Sequence, residues 1–276
     1  MGANYKNICM ELETFLPTVG KQVMKLRQNA ELDPDFSRIK ADKSIVTKAD
    51  GISEDLIREW IQERFPDDTI CGEERAKKVG GSHTWIVDPI DGTHNFSHRG
   101  AMFSISVGLT HNNIPKLGVL FFPAENITVS AIEGGGAFIN GKALAVGGGR
   151  NLLSEAQVFM VETSLDEAYF SHPRFAKTIS QQALLPIKHW AIEGGDASFT
   201  YAFLQLITQE SIDAMMHLGA TPYDVGAICA IAQELGYSVA GYDGGGIDFA
   251  KDMIPIVISK NIELHGQILK ALAQGS

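Results

Sequence analysis

Apolar residues along the first thirty positions recur at helical spacing. Ile8, Leu12, Phe15, Leu16, Val19, Val23 and Leu26 fall on one face, with Lys and Gln on the other. This spacing predicts a helix over 4–29. Residues 53–65 predict a second helix, with Ser53 as its N-cap, Glu54 and Asp55 in its first turn and Pro66 beyond its end. The pattern then shortens. Apolar runs at 84–88, 103–110 and 116–123 predict strands, the last two joined by the turn HNNIP. Residues 126–132 and 137–146 predict a hairpin meander with an Asn140-Gly141 turn. Beyond it come a strand at 156–163, helices at 198–208 and 225–236 (the second ending in Gly236), a strand at 254–260 and a closing helix from Ile262.

Strands and helices alternate in blocks rather than in single βα units, which predicts a layered α/β or α+β architecture. Gly147 to Asn151, GGGRN, is the best internal boundary. It divides one domain of 276 residues into subdomains of about 1–146 and 147–276. No internal repeat or low-complexity tract interrupts the pattern.

Composition narrows the classes. The chain is 45% hydrophobic and 20% charged, ordinary for a globular protein, and its formal net charge is -10. That sign argues against nucleic acid as the main ligand. Cys9, Cys71 and Cys229 are odd in number and form no CxxC pair, which argues against a disulfide framework and a zinc-thiolate site. Lys6 stands where a myristoylation signal needs Ser or Thr, and no secretory leader or membrane-length apolar run is visible. The expectation is a cytoplasmic protein that does not enter a membrane. Gly136 to Ala143 nearly matches a phosphate-binding P-loop, but Ala143 lacks the hydroxyl such a loop gives to Mg²⁺, and the context is strand-turn-strand.

The informative stretch is WIVDPIDGTHNF, residues 85–96. An apolar strand leads into Asp88, and Asp91 follows three residues on. A turn there would aim both carboxylates into one cleft. Two like charges so close repel unless a cation bridges them, and hard oxygen ligands suit Mg²⁺. If Gly92-Thr93 opens a helix, its free N–H groups offer an anion site beside the cations. Three weaker signals surround this one. Glu73-Glu74 alone reads as a solvated pair, Asp50 alone as a turn residue or cap, and Asp224 alone as an N-cap.

Taken in order, VTKAD, GEE, WIVDPIDGTHNF and YDVGAICAIAQELG resemble the inositol monophosphatase family of magnesium-dependent phosphomonoesterases. The similarity extends to HRG…FSISVGL, EGGGAFINGKAL and IVISKN, so it covers nearly the whole chain. It implies an αβαβα sandwich of the inositol monophosphatase/fructose bisphosphatase type, assembled as a homodimer. It implies that Glu73, Asp88, the Ile90 carbonyl, Asp91 and Asp224 hold two or three Mg²⁺ ions. Asp50 and Thr93 would position and deprotonate the attacking water, which Glu73 holds through metal, and the Gly92 and Thr93 amides would bind phosphate. Lys40 falls near a lysine that these enzymes use close to the metals, offset by one residue.

Substrate choice is where the chain departs from the pattern. Inositol-specific members carry a glutamate where His217 stands. Gly195, Asp196 and Ala197 occupy the substrate loop. Gly-Gly-Asp, with Pro222-Tyr223-Asp224, looks more like the histidinol-phosphate phosphatases of the superfamily, where Asp196 would pair with a substrate amine. Those enzymes show Lys-Ser-Phe where this chain has His94-Asn95-Phe96. The resemblance therefore implies a phosphatase of a small phosphorylated metabolite, with inositol phosphates, histidinol phosphate, fructose bisphosphate and nucleotide 3′-phosphates as its range. The rival class, a non-catalytic regulatory protein on the same fold, predicts a lost ligand, and none of the six acids and hydroxyls is missing.

Overall fold

The computed structural model describes residues 5–40, 45–75, 81–145, 147–160, 189–191 and 198–274. They form two compact units. The first comprises residues up to Leu144 together with Tyr223–Glu234, and the second runs from Ala145 to Pro222 and from Leu235 onward.

The first unit is built on a seven-stranded sheet. Its strands are β3 (Thr69–Gly72), β4 (His83–Asp91), β5 (Ser104–His111), β6 (Ile114–Phe122), β7 (Ile127–Ile132), β8 (Gly136–Ile139) and β9 (Lys142–Ala143), arranged in sequence order. β3 is parallel to β4, and every later pair is antiparallel. A separate hairpin, β1 (Ser37–Ile39) with β2 (Ile45–Thr47), leads into α2 (Lys48–Arg64). Helices α1 (Tyr5–Gln28) and α2 bury Leu12, Leu16, Val19, Ile57 and Ile61 against Trp85, Val87, Val107 and Val119. The opposite face of β4, β5 and β6 receives α5 (Pro222–Glu234). With helices on both faces, these strands read as nearly continuous apolar runs rather than alternating ones.

The turns follow their residues. Asn112-Asn113 and Asn140-Gly141 all have positive φ, the conformation of tight two-residue hairpins, so β5–β6 turns more sharply than the five-residue HNNIP link predicts. The stretch that mimics a P-loop is the β8–β9 hairpin.

The second unit carries a five-stranded mixed sheet, in the order β11 (His189–Ala191), β10 (Val158–Met160), β12 (Ala214–Ala220), β14 (Ile254–Ser259), β13 (Ser238–Gly241). α4 (Phe199–Thr208), capped by Ser198, and α6 (Ile262–Gln274) complete it. Ala156, Val158, Met216, Val257, Leu264 and Ile268 form its core. The strand predicted over 156–163 is described only as far as Met160. All three cysteines are buried and no disulfide joins them. Among the described residues no helix is long and apolar enough to cross a membrane.

Candidate active site

The site begins with an irregularity in β4. Side chains of a regular strand alternate, so residues 88 and 91 would face opposite sides of the sheet. Here Asp88 pairs with Ser106 and Asp91 with Ser104, so three steps on β4 match two on β5. That extra residue is a β-bulge, and it returns Asp91 to the face of Asp88. Pro89 lies inside it, where a missing N–H costs no ladder bond. The expected turn after residue 88 is therefore a bulge within a strand that continues to Asp91. Ser53 fastens it. Its hydroxyl, fully buried, donates to the Pro89 carbonyl at 2.9 Å.

Asp224 reaches the same face from the first turn of α5. The helix starts at Pro222, so Asp224 lies inside it rather than at the N-cap that its position suggests. Three glycines seat the helix. A Cβ at Gly118 would lie 2.3 Å from the Ala227 carbonyl oxygen, one at Gly108 2.6 Å from the Gly226 carbonyl carbon, and one at Gly226 2.7 Å from Ile86. Backbone thus meets backbone. At the far end of α5 the Glu234 carboxylate accepts the Gly134 and Gly136 amides, each at 2.8 Å.

The result is a carboxylate trio. One oxygen each from Asp88, Asp91 and Asp224 lies within 4.8 Å of the others, the cluster among the described residues that could hold a metal ion. Burial pushes Asp88 well above the usual carboxylate range, and the charges of Glu73, Asp91, Asp224 and Asp50 add to that.

Asp50 stands beside the trio. Thr47 is the N-cap of α2, six residues before the predicted cap at Ser53. Thr47 and Asp50 form a reciprocal capping box: the Thr47 amide and hydroxyl donate to Asp50 Oδ2 at 2.7 and 2.6 Å. The other Asp50 oxygen lies 3.1 Å from Thr93 Oγ1, which is also 2.9 Å from the Ile90 carbonyl. Burial raises Asp50 to about 6, against its bonds from Thr47 and Thr93. Gly92 precedes the short helix α3 (Thr93–Ser97) at φ 85°, a left-handed conformation suited to glycine.

Glu73 is half-buried, and its carboxylate faces Lys40 Nζ at 3.1 Å rather than joining the trio; Lys40 also pairs with Glu74. Burial works against the Lys40 charge, but the two glutamates outweigh it and raise its pKa. Glu54 holds this corner in place, a role its position in the sequence does not reveal. Fully buried on α2, it pairs with Arg58 at 2.6 Å and accepts the Glu74 amide at 2.7 Å. Its carboxylate fills the space a Cβ on Gly72 would need, which explains the glycine of Gly-Glu-Glu.

These residues fit a divalent cation. The donors are all hard oxygens, their crowding is relieved only by positive charge, and the ammonium of Lys40 has already been drawn to the nearest glutamate. The inositol monophosphatase family model matches residues 11–276. This chain belongs to that family. Inositol monophosphatase 1 of Xenopus laevis is 30% identical over 238 residues, 84% of this chain and 81% of its own. The histidinol-phosphatase of Chlorobaculum parvum is 31% identical over 206 residues, 74% and 75% of the two chains. The solved inositol monophosphatase of Thermotoga maritima matches at a TM-score of 0.70 and 27% identity, covering 95% of each chain. As a family member the chain is a phosphomonoesterase with the layered α/β sandwich its motifs imply.

His217 lies on β12, half-buried, its ring edge-on to Phe199 at 5.1 Å. Nδ1 accepts the Gly219 amide at 3.0 Å, which leaves Nε2–H as its donor. Gly195, Asp196 and Ala197 lie outside the described residues.

Proposed function

We propose that this chain is a Mg²⁺-dependent phosphatase of a small phosphorylated metabolite. The bulged strand that turns Asp88 and Asp91 onto one face with Asp224 carries the reading. Two or three Mg²⁺ ions would be held by Asp88, Asp91, Asp224, the Ile90 carbonyl and Glu73, once Glu73 exchanges Lys40 for metal. Bound there, the ions neutralise phosphate charge, lower the pKa of water and steady the leaving alkoxide.

The chain's own residues do the rest. The Gly92 and Thr93 amides hold phosphate oxygens. Thr93 Oγ1 has one proton and two acceptors near it, Asp50 Oδ1 and Ile90 O. Ionised Asp50 takes that proton, so the Thr93 oxygen is free to accept from the attacking water. A carboxyl near 6 is suited to the relay, since it is ionised at neutral pH yet basic enough to draw a proton. His217, with Gly195, Asp196 and Ala197, would contact the alcohol part of the ester. The family likeness also supports a homodimer.

The test is phosphate release from inositol-1-phosphate, histidinol phosphate, fructose-1,6-bisphosphate, adenosine 3′,5′-bisphosphate and an aryl phosphate, with Mg²⁺ and with EDTA. Metal-dependent release concentrated on one ester is expected. The likeness to a histidinol-phosphatase makes that ester the second reading. Release from none of them, with Mg²⁺ still bound, would favour a regulatory role.

A further inference from the structure

One polar atom beside the trio is unaccounted for. Ser106 is fully buried, and its Oγ has no hydrogen-bond partner among the described residues. It pairs across the strands with Asp88, two residues from Gly108, whose close approach seats α5 on the same face. Cross-strand partners share a face, so its hydroxyl lies on the metal side of the sheet, next to Asp88. A buried hydroxyl left unpaired is destabilising, and an alanine of nearly the same shape would remove the cost. Smallness alone does not require serine here, because alanine is as small.

We propose that Ser106 is a positioning residue for the cation. Its hydroxyl is held for a hydration water of the ion at Asp88. Mg²⁺ keeps several of its waters, and each is a polarised donor in need of an acceptor. The Ser106 oxygen supplies one. The hydroxyl finds no partner among the described residues and would gain one when the cation binds, so it would couple occupancy to stability. The inference rests on the metal-site reading above.

The experiment compares wild type with Ser106→Ala by thermal unfolding in EDTA and by calorimetric titration with Mg²⁺. Two opposite effects are expected. Metal-free Ser106→Ala should melt as high as wild type or about 2 °C higher, since an orphan hydroxyl is gone. Its Mg²⁺ Kd should be weaker by about tenfold, the scale of losing an outer-shell partner. A hydroxyl with only a packing role would not separate the two readouts. If the alanine variant does not fold, Ser106→Gly keeps the close approach of α5 and is read the same way. An unchanged Kd overturns the proposal, and so does a lower melting point in EDTA, which would mean that the hydroxyl has a partner without metal. Wild type that binds no Mg²⁺ would defeat the metal-site reading as well; wild type that binds it, with a variant that binds equally, defeats Ser106 alone.

Discussion

Asp88 and Asp91 are three residues apart on one strand and yet share a face, because one extra residue is accommodated between them opposite the regular spacing of their partners Ser106 and Ser104. The spacing and the bulge require each other. Two residues apart, the acids would share a face without a bulge but at fixed strand geometry. Three apart, they depend on the local bend that Pro89 permits and Ser53 ties down. The site is thus an irregularity held by α2 and covered by α5, and its perturbations are local.

Asp91→Asn keeps the shape of the side chain and removes one negative charge. Mg²⁺ binding should weaken by about a hundredfold or more, since even outer-shell partners are worth ten to a hundred, and turnover should fall with it. Metal-free protein should melt higher, because Asp91 is one of the charges that raise Asp88. Titration calorimetry and unfolding in EDTA check both signs. Unchanged hydrolysis would remove Asp91 from the metal site.

The raised carboxyls also fix a pH dependence. Asp50 moves from 3.8 to about 6, and burial with the neighbouring acids raises Asp88 in the same direction. The folded metal-free protein therefore binds more protons than the unfolded chain above pH 3.8, so its stability falls as pH rises through 6. Bound Mg²⁺ displaces those protons, so the stabilisation by metal should grow over the same interval. Melting temperatures from pH 4 to 7, in EDTA and in Mg²⁺, should diverge as pH increases. Parallel curves would contradict it.

Much of this was legible in the sequence, and what was missed has physical causes. Long amphipathic helices and apolar strands announce themselves by period, so α1, β5, β6 and α6 fall close to their predicted spans. The start of α2 was misplaced because Ser53 looks like a cap; the capping box whose N-cap, Thr47, lies six residues earlier uses Asp50, whose side chain also faces Thr93. The bulge cannot be read from Asp-Pro-Ile-Asp, since the partner strand that reveals it lies a dozen residues on. β13 was missed because it is only four residues long and ends in glycine, and β12 because its seven residues, AMMHLGA, contain no β-branched residue and no Phe, Tyr or Trp. Glu54 carried no signal at all: in a helical stretch an acid reads as solvated, and only the packing of Gly72 against it shows otherwise.

The glycine cradle predicts a structural route to lost metal affinity. Gly118→Ala places a methyl 2.3 Å from the Ala227 oxygen, and backbone cannot yield as a side chain would. The cost should be about 1–3 kcal/mol in urea unfolding, with weaker Mg²⁺ binding as α5 and Asp224 shift. Gly266→Ala, in open space on α6, should instead stabilise by about 0.5–1 kcal/mol and leave the titration unchanged. Equal behaviour of the two variants would contradict the cradle.

Thr93→Val removes the hydroxyl between Asp50 and Ile90 with little change of shape. kcat should fall by about 10²–10⁴, the usual value of general acid–base help, with a smaller change in KM. Thr93→Ser, which restores the hydroxyl, should recover most of the rate. A valine variant with a wild-type kcat would show that Asp50 activates water without Thr93.

His217 tests how the chain chooses its ester. With Nδ1 engaged by the Gly219 amide, the ring offers a donor at Nε2 and no anion. A glutamate, the residue of inositol-specific members, offers acceptors to a ring of hydroxyls. The two chemistries are opposed, so His217→Glu should raise the relative rate on inositol-1-phosphate over histidinol phosphate. Hydrolysis of the aryl ester, which presents neither hydroxyls nor an amine, should change little, because on the proposed reading other residues hold the phosphate and the metal. The measurement is kcat/KM for all three esters in wild type and variant under saturating Mg²⁺. A shifted ratio at constant aryl-ester activity assigns His217 to the alcohol side of the substrate. An unchanged ratio leaves it a residue of β12 with no part in the choice of ester.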